Sequence, residues 1–83
     1  MTNIDDITAQ RIRAVRAAEK LGVNDVARIL GITRDAASLR LNGKTPFSLK
    51  EVALFAEATG YDSADFISDT FTLHEASRKN NEN

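Results

Sequence analysis

Val23-Asn-Asp-Val-Ala27-Arg-Ile-Leu-Gly31-Ile-Thr-Arg-Asp-Ala-Ala-Ser-Leu-Arg-Leu-Asn-Gly43 is the stretch that decides the fold. Val23 to Leu30 can form about two helical turns with Val26, Ala27 and Leu30 inward. Gly31 breaks that helix, because a residue without a Cβ enters the left-handed region with no steric cost. Ile32 plugs the turn, and Thr33 is a good N-cap for a helix from Arg34 to Leu41. Asn42-Gly43, a pair that tolerates positive φ, closes it. Two helices joined by a three-residue turn cross steeply and bring their backbones close. The small Ala27, four residues before Gly31, fits that approach, since a larger side chain there would push the two helices apart.

Outward from this centre the helical pattern continues. Ile4, Ile7, Ile12, Val15, Ala18 and Leu21 fall on one broad face at 3.6-residue period, which predicts a first helix ended by Gly22. Arg11 lies on the apolar side of that wheel and is expected to reach an acidic neighbour past its own aliphatic stem. On the other side, Ser48-Leu-Lys-Glu51 is a capping box, and Phe47 before it can staple onto Val52. The fourth helix has the apolar stripe Leu49, Val52, Ala53, Phe55 and Ala56 and stops at Gly60. Asp62 or Ser63 caps a brief fifth helix with Phe66 and Ile67 inward and Asp65 in the first turn. Pro46 falls in the loop before Phe47, clear of every helix interior. No repeat, low-complexity tract or strand pattern stands out. The expected organisation is a helical domain over residues 1–68 and a polar C-terminal tail over 69–83, flexible or dimerising.

The composition is compatible with this all-α reading. The chain has 83 residues, 42% of them hydrophobic and 28% charged, enough for one core and no second. The absence of Cys excludes disulfide scaffolds, thiolate zinc sites and cysteine nucleophiles. No apolar run approaches the roughly 18 residues of a membrane span, and the N-terminus lacks a signal-peptide pattern, so no membrane association and an intracellular location are expected. Eleven Lys and Arg against twelve Asp and Glu give a net charge of −1, which argues against a general polyanion binder. The distribution is uneven. Residues 28–50 hold Arg28, Arg34, Arg40, Lys44 and Lys50 against Asp35 alone, whereas residues 51–83 hold seven acids against Arg78 and Lys79. Beyond the ~8 Å Debye length the distant acids are screened, so the basic middle can still attract phosphate.

The segment from Val23 to Gly43, followed by Lys-Thr-Pro-Phe-Ser-Leu-Lys-Glu51, resembles the helix-turn-helix of the phage repressor and Cro family of DNA-binding proteins (lambda repressor-like, XRE-type). The resemblance spans about residues 7 to 68. Its marks are Ala27 and Gly31 at their four-residue offset, Leu30 and Ile32 around the turn, and Asn42-Gly43 after the second motif helix, with a helix before and a capping box after. It implies five short helices, the third lying in the DNA major groove, and a regulator that occupies an operator in double-stranded DNA in the cytoplasm of a bacterial host cell. Carried over residue by residue, it sets Arg34, Asp35, Ser38 and Leu39 at base-reading positions, and Thr33, Arg40, Asn42 and Lys44 at phosphate or groove-wall positions. Arginine can donate two hydrogen bonds to guanine O6 and N7, Asp can accept from cytosine N4, and leucine can meet a thymine methyl.

Each residue also has a plainer role. Arg34 and Arg40 can be solvated surface arginines; Asp35 can stabilise the first helical turn and hold Arg34. Leu39 either faces the groove or tucks against the first helix, and Asn42 can be a helix terminator alone. The chain departs from the family pattern in four places. Val23 stands where many relatives have a phosphate-bonding Gln, and Gly22 replaces the usual Ser or Thr cap. Arg40 sits at an often apolar position beside Leu41, and Ala37 is small for a buried hinge residue. These departures point to a slightly rotated or loosely packed third helix.

Catalytic chemistry has little to build on. His74 is the only histidine and lacks a second metal-ligating partner, so no metal or cofactor is expected. Asp5 and Asp6 point to different helix faces and suit the N-terminal dipole better than acid–base work. A protein-binding module, such as an antirepressor or adaptor on the same scaffold, is the alternative reading, supported by the acidic end and the missing Gln. An antitoxin that represses its own operon is a further one. Relatives often dimerise through their C-terminal helix, and Phe66, Ile67, Phe71 and Leu73 could form such a contact or fold back on their own core.

Overall fold

The structure is a computed structural model that describes residues 4–67. It is all-α: α1 (Ile4–Ala18), α2 (Val23–Leu30), α3 (Arg34–Leu41) and α4 (Leu49–Thr59), then a single 3-10 turn over Ser63–Phe66. No strand occurs among the described residues, and no helix there is long and apolar enough to cross a membrane. Helices α2 and α3 have the bounds that their glycines and Thr33 predict. The expected fifth helix is instead four residues of 3-10 geometry, closed by an Ile67 N–H donating to the Ala64 carbonyl oxygen at 3.1 Å. His74, Phe71, Leu73 and the tail 69–83 lie outside the described residues.

One device ends the first three helices. In each, two backbone N–H groups just past the helix reach back to carbonyls of its last turn: Leu21 to Arg16, Ile32 to Ala27 and Lys44 to Leu39 across five residues, with Lys20, Gly31 and Gly43 closing the inner bond. The residue making the inner bond must sit in the left-handed region, and its φ is 71° at Gly31 and 80° at Gly43. At the end of α1 that place falls to Lys20, with φ 60°. Helix α1 therefore stops at Ala18 and not at Gly22, as the sequence suggests. Gly22 is freed to start α2: it is extended, with φ −82° and ψ 175°, and its N–H donates to the Asp25 carboxylate at 2.9 Å. The other half of a capping box cannot form there, because glycine has no side chain.

The core joins all the elements. Ile12 and Val15 of α1, Val26, Ala27 and Leu30 of α2, Ala37 and Leu41 of α3, and Val52, Phe55 and Ala56 of α4 form one buried cluster with Tyr61 and Phe66. Phe66 plugs its end. Its ring stands edge-on to Phe55 at 5.8 Å and tilted against Tyr61 at 5.6 Å, and its carbonyl accepts the Thr8 hydroxyl at 2.9 Å. Arg11 finds the backbone oxygen of an acidic residue, donating to the Asp65 carbonyl at 3.2 Å.

Four apolar expectations fail where the core runs out. Ile4 is exposed, because at the outer end of α1 inward contact passes to Thr8 and Ala9. Leu49 is 79% exposed and Ala53 is exposed; the inward stripe of α4 is Val52, Phe55, Ala56 and Thr59, while Phe47 supplies the apolar contact at the helix start. Ile67 is exposed because Phe66 takes the one inward place of the 3-10 turn.

Candidate nucleic-acid interface

Helix α3 is the least apolar of the elements that carry the core. Only Ala37 and Leu41 are buried along it, so nearly the whole outer surface of the helix is open. Its start is fixed by Thr33, whose hydroxyl oxygen accepts the Ala36 N–H at 3.1 Å. That hydroxyl keeps its hydrogen for a further acceptor. Arg34, Asp35, Ser38 and Leu39 follow at offsets of one and four residues, which sets them on one helix face. Arg34 and Asp35 are exposed and Ser38 is half-buried. Leu39 stands out into solvent, 45% of it accessible, so it is not tucked against α1.

Among the described residues, the side chains of Arg34, Asp35, Asn42 and Lys44 make no hydrogen bond or ion pair, so the expected hold of Asp35 on Arg34 does not form. Lys44 is nonetheless placed by its backbone: its N–H, and that of Thr45, donate to the Leu39 carbonyl at 2.9 and 3.3 Å. The loop carrying Lys44 thus folds back on the exposed end of α3. Asn42 ends the helix with an ordinary φ of −85°, leaving the positive φ to Gly43.

Arg40 differs from the other expected contacts. Its Nε donates to Glu51 Oε1 at 2.8 Å and its Nη1 to the Ala36 carbonyl at 3.1 Å, which turns it toward α4. Arg28 pairs with Asp25 on its own helix. Arg13 of α1 donates to the Leu41 carbonyl at 2.7 Å and so caps α3 from outside. The composition of the sequence gives no sign of this cap, since Arg13 lies on the polar side of the α1 wheel.

A shallow recess of about 220 Å³ opens between α1 and the end of α3, lined by Asp6, Ala9, Gln10, Arg13, Asn42 and Gly43. No group of three or more His, Cys, Asp or Glu gathers as a metal site among the described residues. Comparison of the chain with protein-family models, curated proteins and solved structures gives no match.

Proposed function

We propose that this chain is a sequence-specific, double-stranded DNA-binding regulator of the phage repressor and Cro type, with the lambda repressor-like arrangement of helices and α3 entering the major groove. The observation that carries the reading is α3 itself: a capped helix after a tight turn from α2, buried along one edge only and presenting Arg34, Asp35, Ser38 and Leu39 outward. A helix with such a face has the size and donor set that base edges require. Arg34 would read guanine, Asp35 cytosine and Leu39 a thymine methyl, while Thr33, Asn42 and Lys44 hold phosphates. The regulator would work in a bacterial host cell by occupying its operator.

Selection of binding sites from random duplexes tests this. A short reproducible motif is the expected result; failure to enrich any sequence, with the protein folded, rejects it. A single module buries only ~600–1,000 Å² on DNA, too little for a unique genomic site, so two copies on a pseudo-palindromic operator are expected. Their half-sites would lie ~34–36 Å apart. An asymmetric selected motif bound one to one would reject the dimer and keep the DNA reading.

The exposed Leu39, together with a net charge of −1, favours one other reading: a protein-binding module that uses the same face of α3 against an apolar partner. Absence of any DNA selection would leave that reading standing.

A further inference from the structure

Two buried alanine- and leucine-sized contacts give α3 little apolar area with which to fix its rotation. Polar ties near its C-terminal end add to them. The Arg40 guanidinium bridges from the Ala36 carbonyl, one turn back on its own helix, to Glu51 in the first turn of α4. The same Glu51 Oε1 accepts the Ser48 N–H at 3.0 Å, and Ser48 Oγ accepts the Glu51 N–H at 3.1 Å. The capping box that starts α4 is therefore also the point to which α3 is fastened. This pair is sheltered, with side chains 20% and 11% exposed. Between its two ends runs the 42–48 loop, with Lys44 and Thr45 turned back onto Leu39.

We propose that Arg40 and Glu51 are positioning residues that set the rotation of α3 and the seat of the Lys44 loop, and thereby govern base discrimination without touching DNA. The inference rests on the DNA-binding reading for its consequence, though the brace is a property of the free protein. It differs sharply from a phosphate contact by Arg40. A phosphate contact needs only the charge, which lysine keeps. A brace needs the planar fork, because an ammonium cannot span Glu51 and the Ala36 carbonyl as a guanidinium does.

Amide hydrogen exchange on the free protein tests the brace. In Arg40→Met and Glu51→Gln, the Lys44 and Thr45 amides should exchange roughly tenfold and a few-fold faster, respectively, relative to the slowest core amides. Thr8→Val, which removes a buried bond to the Phe66 carbonyl and none to α3 or its loop, controls for general loss of stability and should leave that ratio alone. Unchanged relative protection in folded Arg40→Met and Glu51→Gln overturns the proposal. If Arg40→Met does not fold, Arg40→Lys and Glu51→Gln carry the same comparison. On the selected operator, both variants should narrow the ratio of specific to random-duplex affinity, by about tenfold for Arg40→Met. The salt slope should stay unchanged, Arg40→Lys should not restore the ratio, and the double variant should be no worse than Arg40→Met. An equal loss on all duplexes with a slope smaller by about one, rescued by Arg40→Lys and absent in Glu51→Gln, makes Arg40 a phosphate contact and overturns the brace. Failure of the wild-type protein to select any sequence rejects the DNA reading instead, and the exchange comparison still decides whether the brace exists.

Discussion

Replacing Arg34 and Lys44 separately by alanine should divide base reading from phosphate attraction. Neither side chain has a partner among the described residues and both are exposed, so each substitution should change folding stability by no more than ~0.5 kcal/mol. A cation in the first turn of a helix even opposes the helix dipole, which makes loss of Arg34 neutral or slightly stabilising for the free protein. Whatever is lost on DNA is then loss of contact. For Arg34, a bidentate bond to guanine is worth ~1–3 kcal/mol, or roughly 5- to 150-fold in Kd, confined to one base position. For Lys44, the loss should be the same on every sequence, with the slope of log affinity against log salt smaller by about 0.9. Anisotropy titrations on the selected operator and its single-base variants, between ~50 and ~200 mM salt, separate the two. A folded Arg34→Ala protein with unchanged affinity and base preference removes Arg34 from the interface. A sequence-dependent loss from Lys44→Ala would mean that the loop reads bases, and no effect from either would refute α3 as the binding face.

Three further predictions concern the scaffold. Ala27→Leu adds three carbons to a buried place in the α2 and α3 turn and should cost ~1–3 kcal/mol by overpacking; urea unfolding with an unchanged midpoint would show that the site has room. Phe66→Ala should cost ~3–5 kcal/mol, a large share of the ~4–12 kcal/mol total for a chain of this size, so its melting transition should fall steeply; a shift of a few degrees would mean that Phe66 does not close the core. Lys20→Gly should stabilise by about 1 kcal/mol and Gly31→Ala should destabilise by a similar amount, since both positions lie at positive φ; a loss from Lys20→Gly in calorimetry would contradict the left-handed end of α1.

Local signals made α2 and α3 legible. Gly31 and Gly43 sit where left-handed closures need them, Thr33 caps where its hydroxyl can reach Ala36, and Ser48 and Glu51 form the capping box that their spacing announces. Each of these is a relation within five residues of chain. The end of α1 was not legible because a lysine occupies the left-handed position, and residue type gives no warning of that. Leu49 has the right period for the α4 stripe, but periodicity states only which face a residue takes and not how far along the helix the core extends. The polar ties to α3 were beyond reach for another reason. Arg40 and Glu51 are eleven residues apart and Arg13 and Leu41 twenty-eight, on different helices, so their meeting depends on packing that no local pattern encodes. The expectation of a slightly rotated or loosely packed third helix was drawn from residue types alone and took no account of these ties.

The ties also determine how much positive charge remains for DNA. Of the five basic residues between 28 and 50, Arg28 is paired with Asp25 and Arg40 with Glu51. Arg34, Lys44 and Lys50 remain without a side-chain partner among the described residues. If each of the three meets a phosphate or a base edge beside one, and no cation outside residues 28–50 takes part, a single copy neutralises about three phosphates. The slope of log affinity against log salt should then be about −3 per copy and about −5 to −6 for a dimer. So shallow a dependence would leave most of the specific affinity to base contacts, consistent with a chain whose net charge of −1 makes it a poor general polyanion binder. A slope steeper than about −4 in a one-to-one complex would mean that Arg28 or Arg40 leaves its carboxylate to hold phosphate, or that a cation outside residues 28–50 joins the contact, and Arg28→Ala and Arg40→Ala would tell these apart. A slope near zero on the selected operator would mean that phosphate takes no part, and α3 would then have to be assigned to a different kind of partner.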